Sequence, residues 1–565
     1  MGKFLLSTTS LDVLTSWVEQ EAKDDMTCYG RAATMWPRTM EILDQLDLAD
    51  GLLQVGIVTR DSMHFRDGKR FPGGYLFATR MDKLGMPTPD TFFKFALQVR
   101  QRWTEEEFSA ALAKEGVQPH LKTRIEGFTI NEGAEDGYPV TVQARDLAKD
   151  EVFQIKTKYL IGADGARSTV RALAGIPFVG ERTTNRFIRI DALVKTDLPN
   201  CRSLNSIDSK SHGQILWCPL DGGFTRIGYV FSQALIEKYG GLEGVTQEVI
   251  ANEAIEALKP FKLEFVQIDW FTLYGVGQAI AETFFTQNRV FLAGDACHTH
   301  SSGAAQGLNT GIHDAVNLSW KLALNLLSLG KKTLLNSYTE ERKPSAQKVI
   351  DNDKTISTLM AGQYPPRFQG RKEHPRCAPW NSDLLTEWYT DSSTQMFTDS
   401  LNVENMSSAA TITPGHRGPD VYLSCVGTGT QIRLHQVLKN DAKFHIVVFA
   451  GTPALSSPAI RELNSALNAT TAFTHVFPAT QVFRFTTLTA ATGNSTTDVL
   501  GVPPFGGGRL YFDPEARAHA IYGVDVSRGA IIVFRPDGWV GCVVALEDVH
   551  ELGQYFGEFL VPISD

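Results

Sequence analysis

Residues 289–321 read RVFLAGDACHTHSSGAAQGLNTGIHDAVNLSWK, and the layout of this stretch decides the fold. The apolar run 289–293 has the composition of a short buried strand, Gly294-Asp295 turns the chain, and a loop of small residues feeds a helix predicted to start near Ala304. A helix start presents unpaired N–H groups and a partial positive charge, which suit the anionic N1/C2=O edge of a flat ring such as a reduced flavin. Ala304, Ala305 and Gly307 carry almost no side chain, so such a ring could approach the backbone closely. Asp295 could accept hydrogen bonds from polyol hydroxyls. The same letters also fit an ordinary strand-turn-helix unit of an α/β domain.

A second segment narrows the choice. Residues 159–176, YLIGADGARSTVRALAGI, read as a strand ending in Gly-Ala-Asp-Gly, then a helix that starts at a serine and stops at Gly175. Together the two segments resemble the DG and GD motifs of the FAD-dependent aromatic hydroxylases, the single-component group that includes fungal phenol 2-monooxygenases. Residues 30–43 (GRAATMWPRTMEIL) resemble that family's second flavin-contacting stretch, and Gln101 with Glu105 resembles its Q-x-x-x-E helix start. Residues 338–344 (YTEERKP) resemble its closing helix, and PGHRGP at 414–419 and RPDG at 535–538 resemble the ends of its C-terminal domain. The motifs stand in the expected order over about residues 28–565.

The resemblance implies an α/β chain: a Rossmann-like FAD-binding domain, an inserted β-sheet substrate domain and a C-terminal thioredoxin-like α/β domain. The expected divisions are 1–181 and 282–360 for the two flavin-binding pieces, 182–281 for the insert, 361–412 for a linker and 413–565 for the last domain. Local patterns fit this plan. Residues 40–50 and 104–114 have helical apolar spacing, residues 140–144 alternate as a strand does, and 152–155 are β-prone. Short β runs at 187–194, 213–219, 224–231 and 263–273 fill the insert, and helices return from Ala304 to about Met360. Residues 361–412 are rich in Pro, Ser, Thr and Asn, as linkers are. Residues 445–450 and 530–534 are buried-type strands of a compact module. Cys425 and Cys542 lie too far apart there for a redox pair, so packing or contact between two copies in a homodimer is the role implied.

Composition sets outer bounds. A chain of 565 residues is too long for one core, and 43% apolar content with 33 Phe is that of a folded protein with large buried surfaces. A net charge of −9 without a Lys/Arg-rich run argues against a nucleic-acid partner. Seven scattered cysteines without a C-x-x-C pair indicate a reducing compartment rather than disulfides or zinc. Cys297, His298 and His300 stand close together, but their spacing matches no common metal site. No run of 18 apolar residues and no secretory cleavage pattern is present, so the expectation is a cytoplasmic protein with no membrane partner.

One departure stands out. This family's fold opens with a strand, G-x-G-x-x-G and a helix, yet after Gly2 no glycine occurs before Gly30. The expectation is that residues 1–25 replace the usual βαβ unit, as a misread gene start would, leaving one edge of the parallel sheet free. The alternative is a truncated, catalytically silent relative that serves as a binding or dimerising partner.

For the chemistry, the resemblance implies FAD as cofactor, NADPH as electron donor, and O₂ with a phenolic small molecule as substrates, the phenol being of the polyketide type found in fungal secondary metabolism. Carried over by position, Arg31 and Gln101 are flavin-edge contacts, with a surface ion pair and a helix cap as their bland alternatives. Asp164 and Asp295 serve the cofactor, and Ala305, Gln306, Gly307, Leu308 and Asn309 form the helix start that faces it. Arg226, in TRIGY, is the candidate to stabilise a phenolate, and Tyr274 is a candidate for ring contact or a core tyrosine. Gly228 stands where the resembled strand carries a tyrosine, and Tyr229 cannot substitute because neighbouring strand residues face opposite sides. Ala33 and Ala279 replace further polar positions, which predicts a less polar cavity.

Overall fold

A computed structural model describes residues 30–60, 62–71, 91–303, 305–360, 409–493 and 496–563. Residues 1–25, most of the expected linker and Ala304 lie outside the described residues. The flavin-binding part is organised around two parallel strands, Leu160–Gly162 and Val290–Leu292, paired Leu160 to Val290 and Gly162 to Leu292. Val290–Leu292 also pairs antiparallel with Phe285–Thr286, and among the described residues no strand covers the outer edge of Leu160–Gly162. Both central strands are short and apolar, and they pack with Val170, Phe284, Leu318, Leu322 and Tyr338 in one core. Gly162 permits that packing: a Cβ there would stand 2.7 Å from the Cβ of Val170.

The helix after the GD turn runs Gly307–Leu326, three residues later than predicted, because Ala305 takes a left-handed φ of 54° and the chain enters the helix only beyond it. The predicted helix 40–50 is two helices, Pro37–Gln45 and Ala49–Val55, broken where Asp47 adopts φ 57°. Gln101–Lys114 is helical as the spacing predicts.

The substrate domain is an eight-stranded sheet whose backbone is formed by the long strands Phe178–Thr196 and Leu263–Ala281 and by Thr225–Phe231. It reaches outside residues 182–281, taking Ser62–Arg66 and Lys69–Phe71 onto its far edge. It also contains helices that the β-rich reading of the insert missed, among them Gln247–Leu258, started by Thr246 capping Val249 N–H. This helix buries Ile250, Ala254, Ala257 and Leu258 against one face of the sheet, where Ile188, Ile190, Trp217, Ile227 and Tyr229 point. Period-two alternation then sends Phe187, Arg189, Asp191, Arg226 and Gly228 to the opposite face, towards the flavin-binding part.

The C-terminal module is a seven-stranded sheet. Its centre, Phe483–Thr489 beside Phe444–Phe449 (parallel), then Ala530–Phe534 and Val540–Val544 (both antiparallel), has the thioredoxin-like order. It docks on the flavin-binding part through buried charges supplied by the RPDG, PGHRGP and YTEERKP motifs. Arg535 donates to Glu341 at 2.7 and 3.1 Å and to Asp537 at 2.7 Å, while Lys321 stands 2.9 Å from Glu341. Arg38 bridges Glu41 at 3.2 Å and the Asp537 carbonyl at 2.7 Å, and Arg417 reaches Glu41 at 3.0 Å. The resembled C-terminal motifs are therefore interdomain clamps. Among the described residues no helix is long and apolar enough to cross a membrane.

Candidate active site

The parallel register brings the two aspartate turns together. Ala293 N–H donates to the Gly162 carbonyl at 2.9 Å, so Asp164 and Asp295 leave adjacent carboxyl ends of one sheet, where ligands of α/β folds gather. Arg171 stitches the turns, donating to the carbonyls of Ala296 and Ala166, both at 2.9 Å. The two aspartates are used differently. Asp164 accepts from Ser168 Oγ at 2.5 Å and from the Thr169 and Val170 N–H groups at 2.6 and 3.1 Å, so its carboxylate shapes the DG turn and starts the following helix. The Asp295 carboxylate is half-buried and has no hydrogen bond or ion pair among the described residues.

Beneath the GD turn, Asp314 anchors the loop. It accepts from Gly294 N–H at 3.0 Å, from His298 Nε2 at 2.7 Å and from Arg342 Nε at 2.7 Å. Burial alone would raise its pKa, but Arg342 and His298 hold it well below the usual carboxylate range. Further along, Ser301 is fixed by Asp353, to which its N–H donates at 2.7 Å. Burial pushes the Cys297 thiol well above its ordinary value, which leaves it an inert packing group.

The helix start fits a flat ligand with acceptor atoms along its edge. The N–H groups of Gly307, Leu308 and Asn309 have no acceptor among the described residues. Gln306 Nε2 and His300 Nε2 are buried with no partner among the described residues, and a Cβ at Gly307 would meet nothing described nearer than His300 at 3.9 Å. Asn309 is spent on scaffold: it accepts from Trp36 N–H at 3.0 Å and donates to the Thr34 and Ala305 carbonyls at 3.0 and 2.8 Å. Unpaired donors beside an unpaired carboxylate are the set that the ring edge and polyol of FAD require.

Residues 30–33 lie between this loop and the substrate sheet. Gly30 is pressed on Trp270, whose ring would be 2.2 Å from a Cβ, and φ 74° adds a second reason for glycine there. Arg31 has an exposed side chain at φ 56°, and its carbonyl accepts from Arg226 Nη1. Gln101 is buried, with Nε2 donating to Glu105 at 2.7 Å and Oε1 accepting from Ala32 N–H at 3.4 Å, so it fixes the course of the 30–33 segment.

The sheet face opposite is more polar than predicted. Arg226 is 6% exposed and makes a two-point pair with Asp191 at 2.7 and 2.8 Å. Burial works against its charge, but Asp191 more than offsets this and raises its pKa. Its cation is thus neutralised inside the protein. Gly228 is not a vacant position: the Arg189 guanidinium occupies the space, 2.4 Å from where a Cβ would stand. Arg189 donates to Ser302 Oγ at 3.0 Å and lies 5.8 Å from the centre of the Tyr274 ring, and Tyr274 Oη is hydrogen-bonded to the same Ser302. Tyr229 points the other way, donating to the Ile250 carbonyl at 2.7 Å, as strand alternation requires. On this face burial pushes the Cys218 thiol up to about 12, which makes it a neutral donor to Gln98 at 3.1 Å. Sequence reading passed over Arg189 and Asp191, although two charges alternating with Ile188, Ile190 and Ala192 were a visible signal.

Residues 12–353 match the protein family described as FAD binding domain, and residues 389–564 match that described as phenol hydroxylase, C-terminal dimerisation domain. The chain is 28% identical to 3-hydroxybenzoate 4-monooxygenase of Comamonas testosteroni over 597 residues, covering 97% of this chain and 91% of the relative. It is 25% identical to phenol 2-monooxygenase fsqG of Aspergillus fumigatus over 571 residues, covering 93% and 89%. Its fold is similar to that of aklavinone-11 hydroxylase in complex with FAD and aklavinone, with a TM-score of 0.69 at 19% identity and coverage of 95% and 93%.

Proposed function

The chain belongs to the FAD-binding-domain family, whose match spans more than half its length, and from that premise we propose that it is an NAD(P)H-dependent aromatic monooxygenase. It converts a phenolic small molecule, NAD(P)H, a proton and O₂ into the ring-hydroxylated product, NAD(P)⁺ and water. The observation that carries this reading is the joint position of the Asp164 and Asp295 turns at adjacent ends of two parallel strands, beside the open start of the helix Gly307–Leu326. The 3-hydroxybenzoate and phenol monooxygenases among its relatives support a phenol as substrate.

Bound FAD would supply the reduction of O₂ that protein side chains cannot perform. The chain's residues supply position, field and proton handling. With FAD bound, the N–H groups of Gly307, Leu308 and Asn309, with Gln306, would hold the ring edge, Asp295 would accept from the polyol, and Ala305 would keep the backbone accessible. Asp164 fixes the adjoining turn. Gln101 and the bond from Arg226 to the Arg31 carbonyl hold the 30–33 segment, and Asn309 holds Thr34 and Trp36 just after it. Tyr274, half-buried and coupled to Ser302, is suited to pass the phenolic proton away from the reacting ring. A site closed to water would favour oxygen transfer to the phenol over release of hydrogen peroxide. The C-terminal module joins two copies in a homodimer, a role in line with the dimerisation domain it matches.

Purified protein should be yellow and should bind FAD one to one. NADPH oxidation should speed up with 3-hydroxybenzoate or a larger phenol, and mass spectrometry should find the product heavier by one oxygen atom. Colourless protein that takes up no added FAD and oxidises no NADPH would return the chain to the silent-partner reading.

A further inference from the structure

We propose that Arg189 is the anion-binding group of the substrate face, taking a carboxylate or ionised hydroxyl oxygen of the aromatic substrate; the assignment rests on the oxygenase reading above. Arg189 is 6% exposed and sits on the face of the sheet turned to the flavin-binding part. Among the described residues its hydrogen bonds go to neutral oxygens, the Ile188 carbonyl at 2.9 Å and Ser302 Oγ at 3.0 Å. Among the described residues no carboxylate pairs with it. Two other arginines of this sheet face are neutralised: Arg226 by Asp191, and Arg66 by Asp208 at 2.7 Å. A guanidinium shut away from water without a counter-ion is costly, and its five N–H donors exceed the two acceptors it has.

The surroundings keep this charge in place and available. Gly228 directly across the strand pair leaves the guanidinium its seat, and any side chain there would collide with it. Tyr274 lies under the guanidinium, and Phe187 stands 6.0 Å from Tyr274, so an apolar wall flanks the cation. Asp191, the nearest carboxylate along the strand, spends both oxygens on Arg226. An aromatic ligand whose anionic oxygen meets Arg189 would rest its ring on this wall. The position lost at Gly228, where a tyrosine was expected, is thereby replaced by a charge from the neighbouring strand.

The test measures binding to full-length FAD-loaded protein by equilibrium dialysis, without NADPH and without turnover. The probes are 3-hydroxybenzoate and its neutral isostere 3-hydroxybenzamide for the carboxylate, and 4-nitrophenol in neutral and ionised form for the hydroxyl. Wild type should bind at least one anionic probe more tightly than its neutral counterpart. Arg189→Met should weaken that probe about ten- to a hundred-fold and leave the neutral one within about two-fold. Arg189→Lys should recover part of the preference, and Gly228→Ala, which displaces the guanidinium, should reproduce the loss. The proposal is overturned if wild type shows no preference in either pair, or if Arg189→Met weakens charged and neutral probes alike. Should Arg189→Met not fold, the wild-type pairs and the lysine variant decide. Turnover with no charge preference removes Arg189 alone, whereas absent FAD uptake or NADPH oxidation removes the oxygenase reading.

Discussion

Replacing Glu341 by Gln tests whether the buried charges between the C-terminal module and the flavin-binding part hold the molecule together. Glu341 is fully buried and serves Arg535 through two bonds, Lys321 through an ion pair and Asn317 through a further bond. Burial works to raise its pKa, but Arg535 and Lys321 win and hold the carboxyl at about 2 against an ordinary 4.5. That difference corresponds to about 3 kcal/mol of folded-state stability at neutral pH. Because the folded value is depressed, the contribution is complete above the unfolded pKa and fades as pH falls from about 4.5 towards 2. Removing one member of a buried pair leaves its partners uncompensated, and the typical cost of about 3–5 kcal/mol agrees. Urea unfolding of the full chain at pH 7 should therefore show Glu341→Gln less stable by about 3 kcal/mol. Between pH 5 and pH 3 wild type should lose stability faster than the variant. A loss under about 1 kcal/mol at pH 7, or parallel pH profiles, would falsify the clamp.

The remaining predictions concern the site and its supports. Asp295→Ala should lower FAD affinity by about ten-fold or more with little change in unfolding, since the carboxylate has no partner among the described residues; equal affinity would remove its assignment. Asp164→Ala should act first on stability, by about 1–2 kcal/mol, because it removes the bonds that start the helix Thr169–Leu173; urea midpoints compared with FAD affinity separate the two effects. Arg226→Met should destabilise by about 3–5 kcal/mol, since Asp191 is left buried without its cation; a stable variant with a selective loss of phenol binding would restore Arg226 as the substrate's partner.

The fold was legible because its signals are local. Turn glycines, an apolar strand and a helix start stand within a few residues of one another in both aspartate segments, and parallel pairing then forces Asp164 and Asp295 side by side. What the sequence concealed depends on register. Nothing local couples Asp191 to Arg226 or sets Arg189 over Gly228, because those neighbours arise only when two strands 35 residues apart align. The expectation of a less polar cavity failed for that reason: it weighed the loss at position 228 without the strand that lies beside it. The helix Gln247–Leu258 was missed although Thr246 marks its start, because the β-rich character of its flanks dominated the reading. The motif residues Arg417, Glu341, Arg535 and Asp537 were recognisable as a set, but their mutual contacts span domains and are invisible in one dimension.

Ser301 and Ser302 are neighbours in the chain yet answer to different masters. The first is fastened to Asp353 on the long helix of the cofactor half, the second to Arg189 and Tyr274 on the sheet of the other half. A single peptide unit thus works as a staple between two compartments, and the distance between them is gauged by one residue's reach. Widening the gap by more than a hydrogen bond's slack must release one serine or drag the loop that precedes Gly307, so the size of the aromatic guest and the posture of the ring's cradle cannot be varied independently.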